Sequence, residues 1–212
     1  MTERARSAAA GRPVRILAVS KTRPAALIRS LAALGQQAFG ENYVQEALGK
    51  QADLADTAIE WHMIGPLQSN KCKDVAEHFD WLQTADRARL IEPLARFRPA
   101  HLPPLNVLVQ VNIDDEPSKS GCRPGQIAGL ADSIATHPQL RLRGLMAIPA
   151  PAADPGIRRA AFARMRTCFE RLRESHCDVD TLSIGMSDDF ELAITEGATM
   201  VRVGSLLFGP RA

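Results

Sequence analysis

The sequence predicts a single α/β domain built as a parallel (β/α)8 barrel of the TIM type. Three observations predict it. Eight short apolar runs rich in β-branched residues are spread along the chain, and segments with helical spacing separate them. The length, 212 residues, suits one domain with one sizeable core, near the lower size limit for this architecture. No internal repeat or low-complexity segment interrupts the pattern.

The strand-like runs are Val14–Ser20, Gln37–Gly40, Ile59–Ile64, Asp80–Gln83, Leu105–Val111, Leu140–Ile148, Thr181–Ile184 and Met200–Val203. Between the first two, Pro24 starts a helical pattern with Leu27, Ile28, Leu31 and Leu34 on one face and Gly35 as its stop. Ile127, Leu130, Ala131 and Ile134 form a second apolar face between Pro124 and Pro138; Phe162, Met165, Phe169 and Leu172 form a third. Residues 1–13 read as a short N-terminal extension and residues 14–212 as the barrel. A doubly wound open sheet is the competing architecture. It calls for a Gly-rich nucleotide fingerprint after the first strand, and Ala18-Val19-Ser20-Lys21-Thr22 is not one.

Composition excludes several function classes. A hydrophobic fraction of 45% and a charged fraction of 24% are ordinary for a globular chain. The net charge of +2 is too small to imply a nucleic-acid or membrane partner. The densest basic stretches, Arg158–Arg159 and Arg164 to Arg173, share a helical segment with Glu170 and Glu174 and read as a solvated helix face. Cys72, Cys122, Cys168 and Cys177 form no C-x-x-C pair and no zinc-spaced cluster, so no metal is expected. Unpaired thiols, no signal-length apolar stretch and no apolar run of roughly 18 residues predict a cytoplasmic protein.

Only five of the 26 cations are lysines: Lys21, Lys50, Lys71, Lys73 and Lys119. Arginine stands wherever a generic positive charge suffices, so each retained lysine invites a specific reason. Lysine can give up its proton and act as an amine nucleophile; arginine cannot.

In a barrel, chemistry sits at the C-terminal ends of the strands. There the sequence places Lys21, Glu41 and Asn42, Gln68 to Lys71, Asn112, Ser187 and Asp188, and Arg202 with Gly204 and Ser205. Lys21 has two readings: an amine desolvated in the barrel mouth, or a cation paired with a rim carboxylate. The loops after the seventh and eighth strands commonly bind phosphate. Gly204 allows close backbone approach, Ser205 can begin a short helix whose amides face an anion, and Ser187 can add a hydroxyl. An ordinary helix start is the alternative for Gly204 and Ser205. A phosphate anchor opposite a reactive amine is what pyridoxal phosphate (PLP) requires. His62 reads as a core histidine and Met146 as either core or cofactor contact. Lys71 and Lys119 read equally as rim or as solvated loop residues.

Seven blocks in order carry a resemblance: Ala18 to Lys21; Phe39 to Asn42; His62 to Lys71; Val111–Asn112 with Glu116, Lys119 and Gly121; Gly144 to Ile148; Gly185 to Asp188; and Val201 to Gly204. On these, the chain resembles the pyridoxal phosphate homeostasis proteins, small barrel relatives of the alanine racemase N-terminal domain, from about Val14 to Arg211. The resemblance implies that Lys21 carries PLP as an imine. It implies that Ser187, Gly204 and Ser205 hold the phosphate with Asn42 nearby, and that Arg202 faces the pyridine nitrogen. Arginine donates without giving up its proton, so the ring nitrogen stays unprotonated and the ring is a poor electron sink. Two departures stand out. The helix that usually precedes the first strand is shortened, which makes barrel closure on the N-terminal side the feature to check. Ser183-Ile-Gly-Met-Ser187 stands where the family commonly has Ser-Met-Gly-Met-Ser, a volume-conserving change.

The resemblance implies a non-catalytic carrier or buffer of PLP, with apo-enzymes that need the cofactor as candidate recipients; nothing in the sequence demands more than a monomer. No residue is assigned a catalytic role. A PLP-dependent amino-acid racemase is the alternative, and a cofactor-free aldolase using Lys21 is a third reading. Racemisation needs a proton-transfer group on each face of the substrate. In alanine racemases the second is a tyrosine of a β-rich partner domain, and the expectation is that this chain, ending at Ala212, lacks that domain. Its single tyrosine is Tyr43.

Overall fold

The computed structural model describes residues 2–116, 119–151 and 154–209. Eight parallel strands close into a barrel in chain order: β1 Arg15–Val19, β2 Ala38–Glu41, β3 Glu60–Met63, β4 Trp81–Ala85, β5 Leu105–Gln110, β6 Leu140–Met146, β7 Thr181–Ser183 and β8 Met200–Val203. Each falls on one of the eight apolar runs. Closure between β8 and β1 is complete, with Arg15 opposite Met200 and Ala18 opposite Val203. The resemblance extended to Arg211, and residues 210–212 lie outside the described residues.

Helices α1 Thr2–Ala9, α2 Ala25–Ala33, α3 Val44–Asp53, α4 Cys72–His78, α5 Ile91–Phe97, α6 Ile127–Ala135, α7 Pro155–Ser175, α8 Phe190–Thr195 and α9 Ser205–Phe208 accompany the strands. Pro24 caps α2, and Gly35, at φ +93°, ends the turn after it. Asp154 caps α7 by accepting from the Gly156 amide at 2.7 Å, with Pro155 in the first turn. The shortened N-terminal helix is α1. Its Ala5 and Ala9, one turn apart, are buried in the main core, and Arg4 pairs with Glu191 of α8 at 2.9 Å.

The main core lies between the sheet and the helices, where Ile28, Leu94, Ile134, Phe162, Met165 and Phe190 are buried. The opposite face of α7 is arginine-rich and solvent-facing, as its charge pattern predicts. Among the described residues no helix is long and apolar enough to cross a membrane, and the four cysteines are free thiols.

The inside of the barrel is polar along one line. Arg202 of β8 donates to the Ser183 hydroxyl of β7 at 2.8 Å, and Ser183 donates to Gln83 Oε1 of β4 at 2.7 Å. Gln83 Nε2 lies 2.9 Å from His62 Nδ1 on β3, and His62 Nε2 bonds Glu60, which pairs with Arg15 of β1 at 2.8 Å. β4 and β7 are not sheet neighbours, so the Ser183–Gln83 bond crosses the barrel. The row runs from the C-terminal mouth to the N-terminal floor.

Candidate functional site

A cavity of about 280 Å3 opens at the C-terminal mouth, and Lys21, Asn42, Ser187, Arg202, Gly204 and Ser205 all border it. Lys21 is half-buried at the end of β1, beside Val19. The segment that carries it is held from behind. Ser20 is fully buried, and its hydroxyl donates to Glu41 Oε1 at 2.6 Å. Lys50 Nζ donates to the Ser20 carbonyl at 2.9 Å, to Glu41 at 2.8 Å and to Glu46 at 2.6 Å. Glu46 in turn accepts from the Thr22 amide at 2.6 Å. Thr22 has φ +64°, a left-handed conformation that a β-branched residue adopts only when its surroundings enforce it. Burial pushes the Glu41 carboxyl up, and the bonds from Lys50 and Ser20 oppose that shift.

Across the cavity the loops after β7 and β8 meet. The Gly204 amide donates to Ser187 Oγ at 3.4 Å. A Cβ on Gly204 would sit 3.3 Å from the Val19 carbonyl oxygen, so glycine keeps this corner open to the backbone. The first amides of α9 have no acceptor within their own helix, as at any helix start. The β7 loop is pinned at Asp189, which accepts from the Met186 amide at 2.6 Å and pairs with Arg158. Asn42 is set by a tight crossing, since a Cβ on Gly65 would stand 2.1 Å from the Asn42 carbonyl oxygen.

Arg202 forms the cavity's inner wall and is 4% exposed. Its Nη1 donates to the Ser183 carbonyl at 2.6 Å and to the Ser183 hydroxyl at 2.8 Å; Nη2 donates to the Ala147 carbonyl at 2.8 Å. These bonds use three of the five N–H groups of a guanidinium. Burial pulls its pKa down to about 10, with Asp189 acting the other way, so Arg202 remains a cation at neutral pH. Val19, Ile64, Ile148 and Met186 supply apolar wall.

The alanine racemase N-terminal domain profile matches residues 2–212. A pyridoxal phosphate homeostasis protein of Pseudomonas aeruginosa is 56% identical over 206 residues, covering 96% of this chain and 88% of the relative. The chain belongs to the pyridoxal phosphate homeostasis protein family. The Escherichia coli K12 member is 53% identical over 93% of this chain and 86% of its own length. Among solved structures, PipY of Synechococcus elongatus PCC7942 matches at TM-scores of 0.88 without PLP and 0.86 with PLP bound. Identities are 40% and 39%, with 98% of this chain and 99% of that chain covered in both. Alanine racemase of Corynebacterium glutamicum, 18% identical at TM-score 0.74 over 99% of this chain and 60% of its own, shares the fold.

Against that family background, several residues singled out from sequence lie away from the mouth. His62 and Met146 are fully buried inside the barrel, His62 bonded as described and Met146 packed with Trp81 and Leu108. Lys71 pairs with Asp74 and Lys119 with Glu116, and neither borders the cavity. Asn112 ties its own loop by donating to the Glu116 carbonyl at 2.7 Å. Tyr43 is exposed and does not border the cavity. Sequence reasoning missed Arg23, which borders the cavity and donates to the Gly209 carbonyl at 2.6 Å. It also missed the Lys50–Glu46–Glu41 support. There a signal existed: Lys50 is one of five lysines and stands four residues after Glu46 on a helix.

Proposed function

We propose that this chain binds PLP at the barrel mouth and carries or buffers it without catalysing a reaction. The observation that carries this reading is the convergence of an amine, a buried guanidinium with spare donors and a glycine-opened amide corner on one small, apolar-walled cavity. In it Lys21 would hold the aldehyde carbon as an imine, and Ser187 with the Gly204 and Ser205 amides would hold the phosphate. Asn42 lies alongside. Arg202 would meet the pyridine nitrogen with a donor that stays protonated. The residues present therefore fit the group. PLP, when bound, supplies an electron sink conjugated to its imine, and a nitrogen that only accepts a hydrogen bond leaves that sink weak.

The non-catalytic reading rests on the proton inventory. Proton transfer on both faces of a bound substrate requires two groups. Lys21 can serve one; among the described residues no tyrosine, histidine or cysteine borders the cavity, and the carboxylate that does, Asp188, is an exposed residue of the loop after β7. The names of the relatives support the same reading. We further propose that the chain acts as a monomer in the cytoplasm and that PLP-dependent apo-enzymes receive the cofactor.

The test is incubation of the PLP-loaded protein with individual L-amino acids in deuterated water, following α-proton exchange and chirality. The carrier reading predicts no turnover. Exchange at an enzymatic rate, on the order of 1 s−1 or more, would replace it with a racemase.

A further inference from the structure

A second cavity of about 830 Å3 lies at the opposite end of the barrel, on the N-terminal floor. Its wall carries four arginines and one carboxylate, Asp180. Arg6 comes from α1, Arg12 from the turn after it, Arg15 from the start of β1 and Arg143 from β6. Trp81, at the start of β4, lies among them.

The charge balance of this wall is uneven. Arg15 is matched by Glu60 at 2.8 Å, and Arg143 by Asp180. Arg12 donates to the Ile194 carbonyl at 2.6 Å, a neutral acceptor. Among the described residues neither Arg6 nor Arg12 has a carboxylate partner. Two guanidinium charges are thus left over around one cavity. The second observation is independent of charge: Trp81 is 2% exposed and, among the described residues, its indole N–H has no acceptor. A buried donor without a partner costs stability unless something supplies an oxygen. Trp81 itself is fixed, stacked on His62 with ring centroids 5.1 Å apart and covered by the Arg143 guanidinium at 4.8 Å.

We infer that the floor cavity is a binding site for a dianionic phosphate group, held by Arg6 and Arg12 beside Arg15, Arg143 and Trp81. Two unmatched cations call for two negative charges. A guanidinium fork matches phosphate oxygens in pairs, and such charge-assisted bonds are among the strongest available to a half-exposed site. The cavity exceeds a bare phosphate in size, so free phosphate and a small phosphate monoester share the chemistry, and the test separates them. The inference is independent of what occupies the mouth.

The experiment uses PLP-loaded protein, so that the mouth is filled, carrying Trp61→Phe to leave Trp81 as the only tryptophan. Inorganic phosphate and glycerol phosphate are each titrated at constant ionic strength while tryptophan emission and cofactor absorbance are recorded. The inference predicts a saturable change in emission with cofactor absorbance unchanged, tighter for whichever of the two is the natural class. Arg6→Gln removes an exposed side chain with no carboxylate partner among the described residues and should weaken binding at least threefold; Arg6→Gln with Arg12→Gln should weaken it at least tenfold. A non-saturable response, equal affinity in Arg6→Gln, or an emission change that tracks loss of the cofactor would overturn it.

Discussion

At the scale of single residues, the interior row shows what a buried histidine does here. Burial lowers the His62 pKa, with Glu60 pulling it back up. Gln83 approaches Nδ1 with its amide nitrogen, which a neutral ring accepts. Burial pushes the Glu60 carboxyl up, but the hydrogen bond with His62 and the pairing with Arg15 outweigh this and hold it below its ordinary value. Both groups make the fold acid-sensitive. Because the fold lowers the His62 pKa, unfolding takes up protons as pH falls below the unfolded value of about 6.5, and stability falls with it. Glu60 adds stability that is complete above its ordinary value of 4.5 and is lost as pH falls through its lowered folded value. Urea unfolding at pH 7.5 and 5.5 checks the histidine. The wild type should lose roughly 1 kcal/mol more than His62→Asn between the two, from a slope of about 1.4 kcal/mol per pH unit for one proton; equal losses would count against a neutral His62. Of this row, only His62, as a core residue, and Arg202, as a mouth residue, were legible in the sequence. Gln83 and Ser183 lie 100 positions apart, and only the barrel interior brings them together.

At the scale of elements, the loops that carry the mouth residues are fixed by features that sequence patterning reveals unevenly. The eight strands were legible because their apolar runs are short, β-branched and bounded by turn residues, whereas the support behind Lys21 showed only in the Glu46–Lys50 spacing, with nothing to tie it to Glu41 or Ser20. Lys50→Met should cost about 3 kcal/mol or more, since it leaves fully buried Glu41 without its cation. It should also slow imine formation, because Glu46 would no longer be held against the Thr22 amide; stopped-flow absorbance on adding PLP checks this. The β7 loop depends on Gly185, at φ +91°, where a Cβ would lie 2.5 Å from the Ala193 Cβ. Gly185→Ala should therefore lower unfolding free energy by more than about 1 kcal/mol and weaken retention of PLP by displacing Ser187. A variant with native stability and retention would show that the loop is not set there.

At the scale of the whole molecule, one closed sheet separates two ends of different character. The C-terminal mouth collects an amine, hydroxyls and amides; the N-terminal floor collects arginines; the polar row connects them. The mouth was legible in outline because barrel strands deliver their ends to one place, so residues from four separate blocks could be assigned to it from sequence order alone. The floor was not, since Arg6 and Arg12 fall in what reads as an N-terminal extension, and only the fold of α1 and the turn after it brings them to Arg15 and Arg143. The central claim is that the mouth holds PLP through Lys21. Borohydride reduction of the PLP-loaded protein, followed by peptide mass spectrometry, tests it most directly. The account predicts a single pyridoxyl phosphate adduct on Lys21, absent from Lys21→Ala along with the imine absorbance. An adduct on another lysine of the native protein, or a full imine spectrum in Lys21→Ala, would contradict it.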